Sequence, residues 1–216
     1  MAFTTQELAN LTAVAVPVVA PRIDWRSGLP ALAGAMITLR ELRPSDAKDL
    51  FAAVGNAEVT RLISPPPPTA EGFEKFIAWT VRQREQGKSL AFGVTLRGSD
   101  TVIGLFQVRA LTSSFDRAEW GFALGSDFWG TGIFMDGAQL VLDFAFDVLG
   151  VRRMEAKAAV KNGRGNGALQ KLGAVQEATL RRSFLRNGVY MDQAYWAILA
   201  STWREIRAVR TARILH

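Results

Sequence analysis

The run Asp127-Phe-Trp-Gly-Thr-Gly-Ile-Phe134 puts two glycines between a strand-like stretch, 118–124, and a long helical pattern. From residue 132 to 149 the apolar residues Phe134, Ala138, Leu142, Ala145 and Leu149 recur every three or four positions. That spacing predicts one face of an amphipathic helix. Glycine lets a backbone come close to a ligand, and the first N–H groups of a helix have no partner inside it. Such a turn attracts phosphate oxygens. A tight bend that simply needs glycine is the other reading of the same residues.

Composition narrows the chemistry. The 216 residues contain no cysteine, which excludes disulfides, a thiolate metal site and a cysteine nucleophile. The single histidine is His216, so a Ser-His-Asp triad or a histidine-rich metal site has no material. No metal is expected. A general base must be a carboxylate, a tyrosine, a lysine or a water held by the backbone.

The elements that must position such groups follow from periodicity. Residues 1–35 read as an extension, with Asp24-Trp-Arg-Ser-Gly28 as a turn. A strand over 36–42 leads to Pro44-Ser45-Asp46, an N-cap for a helix over 47–54. A short helix over 57–63 stops at the four prolines Pro65–Pro68. Thr69 caps a helix running to about Gln86, which Gly87 ends. Strands are expected over 90–96, 102–108 and 118–124, the first two joined at Gly98-Ser99-Asp100. Beyond the glycine turn and its helix come a strand over 153–160 and a short helix over 164–172. Strands over 175–184 and 190–199 flank the hairpin signal Asn187-Gly188, and Ser201 caps a last helix to about Val209. The fold class is α/β (α+β): a mixed sheet with helices on both faces, built around a domain of residues 36–203 with a basic tail over 204–216.

Three stretches in this order resemble the GNAT superfamily of acyl-CoA-dependent N-acyltransferases, and look closest to its Rim-type branch, which acetylates protein N-termini and assorted small amines. They are Ile37-Thr-Leu-Arg-Glu-Leu-Arg-Pro-Ser-Asp-Ala47, then Glu119-Trp-Gly-Phe-Ala-Leu124 running into Trp129-Gly-Thr-Gly132, and Asn162-Gly-Arg-Gly-Asn-Gly-Ala-Leu-Gln-Lys-Leu-Gly-Ala174. The resemblance implies a mostly antiparallel sheet with a splayed central strand pair and acetyl-CoA as co-substrate. Trp129, Gly130, Thr131, Gly132, Ile133 and Phe134 would cradle its pyrophosphate. Phe122, Ala123 and Leu124 would pair with the pantetheine arm, and Asn162 would bond it at the mouth of the split. Glu119 is the catalytic candidate, a base for the attacking amine; a salt-bridge partner for a nearby arginine is its other role. Tyr190, Tyr195, Asp192 and Ser183 are lesser candidates around the acceptor, and Lys161 and Arg164 could meet phosphates.

Two positions depart from the family pattern. Phe134 stands where the loop usually ends in Gly or Ala, which is tolerable if its ring points into the core. Gly165 and Leu169 stand where a serine or tyrosine often returns a proton to the departing thiolate; a thiol titrates near pH 8.5, so water could serve instead. These departures motivate the alternative of a non-catalytic acyl-CoA-binding module.

Charge raises a third reading. Residues 151–216 hold 13 Lys or Arg against 4 Asp or Glu, and residues 1–150 hold 13 against 16. Arg204, Arg207, Arg210 and Arg213 repeat every three residues, as an RNA-binding face could, but no RNA-binding motif accompanies them. The apolar stretch 11–20 holds Pro17, is too short to span a bilayer and has no basic residue before it. The expectation is a soluble cytoplasmic enzyme with an amine acceptor, no membrane or nucleic-acid partner, and a homodimer conceivable through the extension or the last strands.

Overall fold

Residues 23–214 are described by the computed structural model. Eight strands form one sheet: β1 (Leu32–Ala33), β2 (Ile37–Glu41), β3 (Ser89–Leu96), β4 (Val102–Ala110), β5 (Arg117–Leu124), β6 (Arg153–Ala159), β7 (Val175–Arg186) and β8 (Val189–Leu199). Their spatial order is β1-β2-β3-β4-β5-β6-β8-β7. Every neighbouring pair is antiparallel except β5–β6.

The helices are α1 (Ala47–Val54), α2 (Ala57–Thr60), α3 (Ala70–Glu85), α4 (Ile133–Asp147), α5 (Gly163–Leu172) and α6 (Ala200–Ile214). Side chains alternate across the pleat, so the central strands β3 and β4 serve two cores. Phe92, Val94, Phe106, Val108 and Trp120 join Ala138, Leu142 and Ala145 of α4 in the larger one. Leu50 and Val54 of α1 and Phe73 and Ile77 of α3 meet Ala91, Val102 and Leu105 on the opposite face. That is why β3 is buried along nearly its whole length.

Local chemistry explains most boundaries. Thr69 Oγ1 accepts from Gly72 N at 3.1 Å and starts α3. Gly87 ends it at φ 67°, and Asn187 (φ 50°) with Gly188 (φ 74°) makes the tight turn of the β7–β8 hairpin. Two expected caps act otherwise. Asp46 occupies the N-cap position of α1, but its carboxylate turns back to accept from Arg43 N (2.7 Å) and from Arg40 (2.8 and 2.9 Å). Ser201 lies inside α6, because that helix follows β8 directly at Ala200. The apolar stretch 11–20 lies outside the described residues. Among those described, no helix is long and apolar enough to cross a membrane, and no cluster of His, Asp or Glu could hold a metal ion.

Candidate active site

The parallel pair β5–β6 is what opens the sheet. Its strands register only through Arg117↔Arg153, Ala118↔Met154 and Glu119↔Glu155, and then part. β5 goes on along β4 to Gly104↔Leu124, while β6 goes on along β8 to Ala159↔Gln193. A split therefore begins just beyond Glu119 and leaves one edge of Trp120–Leu124 without a strand partner.

The fork is fastened by a charge cluster. The buried Glu155 carboxylate accepts from Arg117 Nη2 at 2.7 Å and Arg153 Nε at 2.8 Å, with the Tyr195 side chain beside it. Burial by itself would push this carboxyl up; the tyrosine and the two guanidinium groups overcome it and hold it at about 2. Arg153 reaches on to Glu177 at 2.8 and 2.5 Å, so β5, β6, β7 and β8 are tied at one point.

Two cavities meet across the split, sharing Leu62, Ile63, Phe122, Ala123, Asn162 and Gly165 as walls. One, of about 590 Å³, runs from Phe122, Ala123 and Leu124 past Trp129, Gly130, Gly132 and Phe134 to the start of α5. Gly132 takes the left-handed conformation (φ 90°) at the N-cap of α4, and Gly130 has φ 78° with nothing within 4 Å of where a side chain would begin. Glycine is the residue that tolerates both. The first-turn N–H groups of α4 at Ile133 and Phe134 follow immediately, so the loop fits an anion-binding cradle. Arg61, Lys161, Arg164 and Lys171 line this cavity against a single carboxylate, Glu58. The Arg164 guanidinium lies 3.7 Å from the centre of the Trp129 ring, and Trp129 Nε1 donates to Leu124 O at 3.0 Å. Thr131 Oγ1 donates to Phe128 O at 2.7 Å and braces the loop.

Phe134 leaves the loop open because its ring leans on the core, 4.5 Å from Phe122 and 5.9 Å from Phe106 between ring centres. Asn162 stands at the junction of both cavities, with Oδ1 accepting from Gly165 N at 2.9 Å. A side chain at 165 would begin 2.8 Å from Asn162 Nδ2, so glycine there makes room for the asparagine. Leu169 is buried and lines the other cavity.

That second cavity, of about 370 Å³, opens on the α1/α3 side. Pro65, Pro66, Pro67, Phe73, Phe76 and Phe184 form apolar walls around Gln107, Gly121, Lys157 and Gln193. Several of these residues lie beyond sequence reasoning: strand alternation gives a face to Gln107 and Lys157, but which strands are neighbours is decided by the register.

Glu119 sits at the last paired position of the fork. It is bonded to Arg109, and its Oε1 lies 3.4 Å from Lys157 Nζ. It faces the same side of β5 as Gly121 and Ala123 yet lines neither cavity. The lesser candidates lie apart. Tyr190 is exposed, Tyr195 belongs to the Glu155 cluster, and Asp192 accepts from Arg182 N at 2.8 Å. Ser183 donates to Leu180 O and Gln193 Oε1. Lys161 and Arg164 do face the loop-side cavity. Asn166 was not anticipated: its amide donates to Ala159 O and accepts from Trp196 Nε1, both at 2.9 Å, fastening α5 to the far side of the split.

A sheet forked at its one parallel pair, with a glycine turn at a helix N-terminus beside the fork, is the arrangement that the comparisons with known proteins bear on. Residues 36–175 match the family model described as acetyltransferase (GNAT) domain, and the chain belongs to that family. It is 27% identical over 173 residues to the uncharacterized N-acetyltransferase YoaA of Bacillus subtilis, covering 79% of this chain and 97% of that one. The uncharacterized N-acetyltransferase p20 of Bacillus licheniformis is 26% identical over 164 residues, 76% of this chain and 92% of that one. Mycobacterium smegmatis RimJ, solved in complex with CoA-disulfide, shares the fold with a TM-score of 0.72 at 18% identity, over 79% of this chain and 87% of that one. The protein is an N-acetyltransferase.

Proposed function

We propose that the protein transfers the acetyl group of acetyl-CoA to a primary amine, either a protein N-terminus or a small-molecule amine, by direct attack on the thioester. The observation that carries this reading is the meeting of the two cavities across the β5–β6 split. Donor and acceptor can enter from opposite sides and meet without a covalent enzyme intermediate.

On the donor side, Trp129, Gly130, Thr131, Gly132, Ile133 and Phe134 would receive the pyrophosphate, with Arg61, Lys161 and Arg164 adding positive charge. The open edge at Phe122, Ala123 and Leu124 would bond the pantetheine arm as an added strand does, with Asn162 beside it. Bound acetyl-CoA supplies an activated thioester; the chain supplies position and water exclusion.

On the acceptor side, an ammonium has no lone pair to attack with. Apolar walls and the nearby Lys157 cation both disfavour a charged amine, so the cavity favours the neutral form. Glu119, outside the cavity wall but on its face of β5, is the base in this reading and takes the proton through water. Arg109 and Lys157 hold its carboxylate in place beside the fork. Rim-type chemistry at a peptide N-terminus is one form of this activity; RimJ shares the fold.

Calorimetric titration with acetyl-CoA, using CoA as comparison, followed by a thiol-release assay with amines and N-terminal peptides, tests the whole reading. Micromolar binding and amine-dependent thiol release are expected. Glu119→Gln should keep the binding and lower kcat about 100-fold. Unchanged turnover in that variant would remove Glu119 from the mechanism, and absent binding would remove the donor assignment.

A further inference from the structure

We propose that the acceptor is a small amino acid-like molecule, with an apolar or aromatic side chain and a carboxylate beside the reacting amine, held by Lys157. This rests on the transferase reading and narrows its acceptor.

Among the described residues, no acidic side chain lines the acceptor-side cavity, and Lys157 is its only charged one. A polycationic amine entering there would lose hydration and meet the Lys157 cation with no carboxylate in the cavity wall, a combination that carries a penalty on both counts. An acceptor with one carboxylate meets the opposite situation. Lys157 lies on β6 two positions beyond Glu155, where the fork has already opened, so its ammonium borders the split itself. Its link to Glu119 is long at 3.4 Å, while Arg109 is the closer partner of that carboxylate. The Lys157 side chain is 37% exposed, which leaves it donors to offer. Gln107 and Gln193 add amides on the same face.

The remaining walls say what the rest of the molecule is. Apart from Ser64 and Asn162 they are chiefly apolar: Phe73, Phe76, Phe184 and three consecutive prolines suit a hydrocarbon or an aromatic ring. Gly121 leaves the floor open, with nothing within 4 Å of where its side chain would begin. A volume of about 370 Å³ is near the lower end for ligand pockets, right for an amino acid with a large side chain. A carboxylate one carbon from the amine is what a cation bordering the split can grip while the nitrogen faces the thioester. A peptide N-terminus has a neutral amide carbonyl at that place, a weaker acceptor that gains less from Lys157.

The test is thiol release at saturating acetyl-CoA with L-phenylalanine and L-leucine, their carboxamides, spermidine and a Phe-Ala-Ala peptide. Rates are compared per neutral amine, because amidation itself lowers the amine pKa. The free acids should exceed their amides in kcat/KM by about tenfold or more, as loss of a charge-assisted hydrogen bond predicts. Lys157→Met should bring that ratio to about 1, and Lys157→Arg should keep most of it. The ratio is the readout because any indirect effect of the substitution through Glu119 acts on acid and amide alike. Equal use of acid and amide, a ratio unmoved by Lys157→Met, preference for spermidine or the peptide, or transfer to no acid while acetyl-CoA binds would each overturn the inference. Failure to bind acetyl-CoA in calorimetry would instead overturn the transferase reading beneath it.

Discussion

At the scale of single residues, the opening motif Ile37-Thr-Leu-Arg-Glu-Leu-Arg-Pro-Ser-Asp-Ala47 is a folding device rather than a site. Arg40 is buried and holds the buried Asp46 with two parallel bonds, and it also reaches Asp100 in the β3–β4 turn at 2.8 Å. Burial alone would raise the Asp46 carboxyl, but Arg40 and the Arg43 N–H hold it below the usual carboxylate range. One guanidinium thus connects β2, the turn into α1 and a distant hairpin. Arg40→Met removes one partner of a buried pair and leaves a charge without compensation, which costs about 3 kcal/mol or more. Urea denaturation followed by circular dichroism should show the midpoint falling with the slope unchanged. Arg40→Met with Asp46→Leu should recover much of the loss, since removing both charges removes the orphan.

At the scale of elements, what was legible in the sequence was whatever is local. Helical spacing gave α3 and α4, Thr69 and Gly87 gave the ends of α3, and Asn187-Gly188 gave the β7–β8 turn. Strand pairing is not local. Nothing in Ser89–Leu96 or Arg153–Ala159 says which neighbour each takes, so the polar floor made by Gln107, Lys157 and Gln193 emerges only from the register. β1 escaped notice because two residues carry no period; it is held by pairing with β2, and Asp136 in the first turn of α4 pins the link between them by accepting from Ala35, Met36 and Ile37 N. The family resemblance supplied the proposed donor site; the proposed acceptor site has no such motif. How α4 seats on the sheet is testable. At Gly137 an added Cβ would stand 2.6 Å from Phe106 Cε2 and 3.1 Å from Ile37 Cδ1, both fully buried. Gly137→Ala should therefore destabilise by about 1–3 kcal/mol despite alanine's better helix propensity. The displaced Phe106 ring also packs on Phe122 and Phe134, so acetyl-CoA affinity should weaken in the same variant, read by thermal melting with and without ligand.

At the scale of the whole molecule, charge is organised by the fold into two uses. Part of the charge of the basic C-terminal third is spent internally: Arg207 bonds Asp143 and Asp147 of α4, and Arg210 lies over Trp203 and donates to Lys171 O. Two of the four arginines in the repeat, Arg207 and Arg210, thus tie α6 to α4 and α5, which weakens the case for RNA. The other use is the Glu155 cluster, where four strands converge at the root of the split. Its carboxyl is held at about 2 against an ordinary 4.5. A depressed carboxyl stabilises the fold above the unfolded-state value, and that contribution is lost as pH falls from about 4.5 toward 2. Asp46, lowered in the same sense, adds to the same window. Melting temperature should therefore be flat above pH 5 and fall steeply below it. Glu155→Gln should melt lower at pH 7, with the difference from the unaltered protein shrinking as the pH approaches 3. Because Glu155 joins Arg117 of β5 to Arg153 of β6 where their pairing ends, its loss should also loosen the split before the sheet comes apart. Acetyl-CoA affinity in Glu155→Gln should then drop at pH 7 while the far-ultraviolet spectrum stays native. An unchanged affinity would mean that the hydrogen-bonded ladders of β4 and β8, rather than the charge cluster, fix the width of the fork.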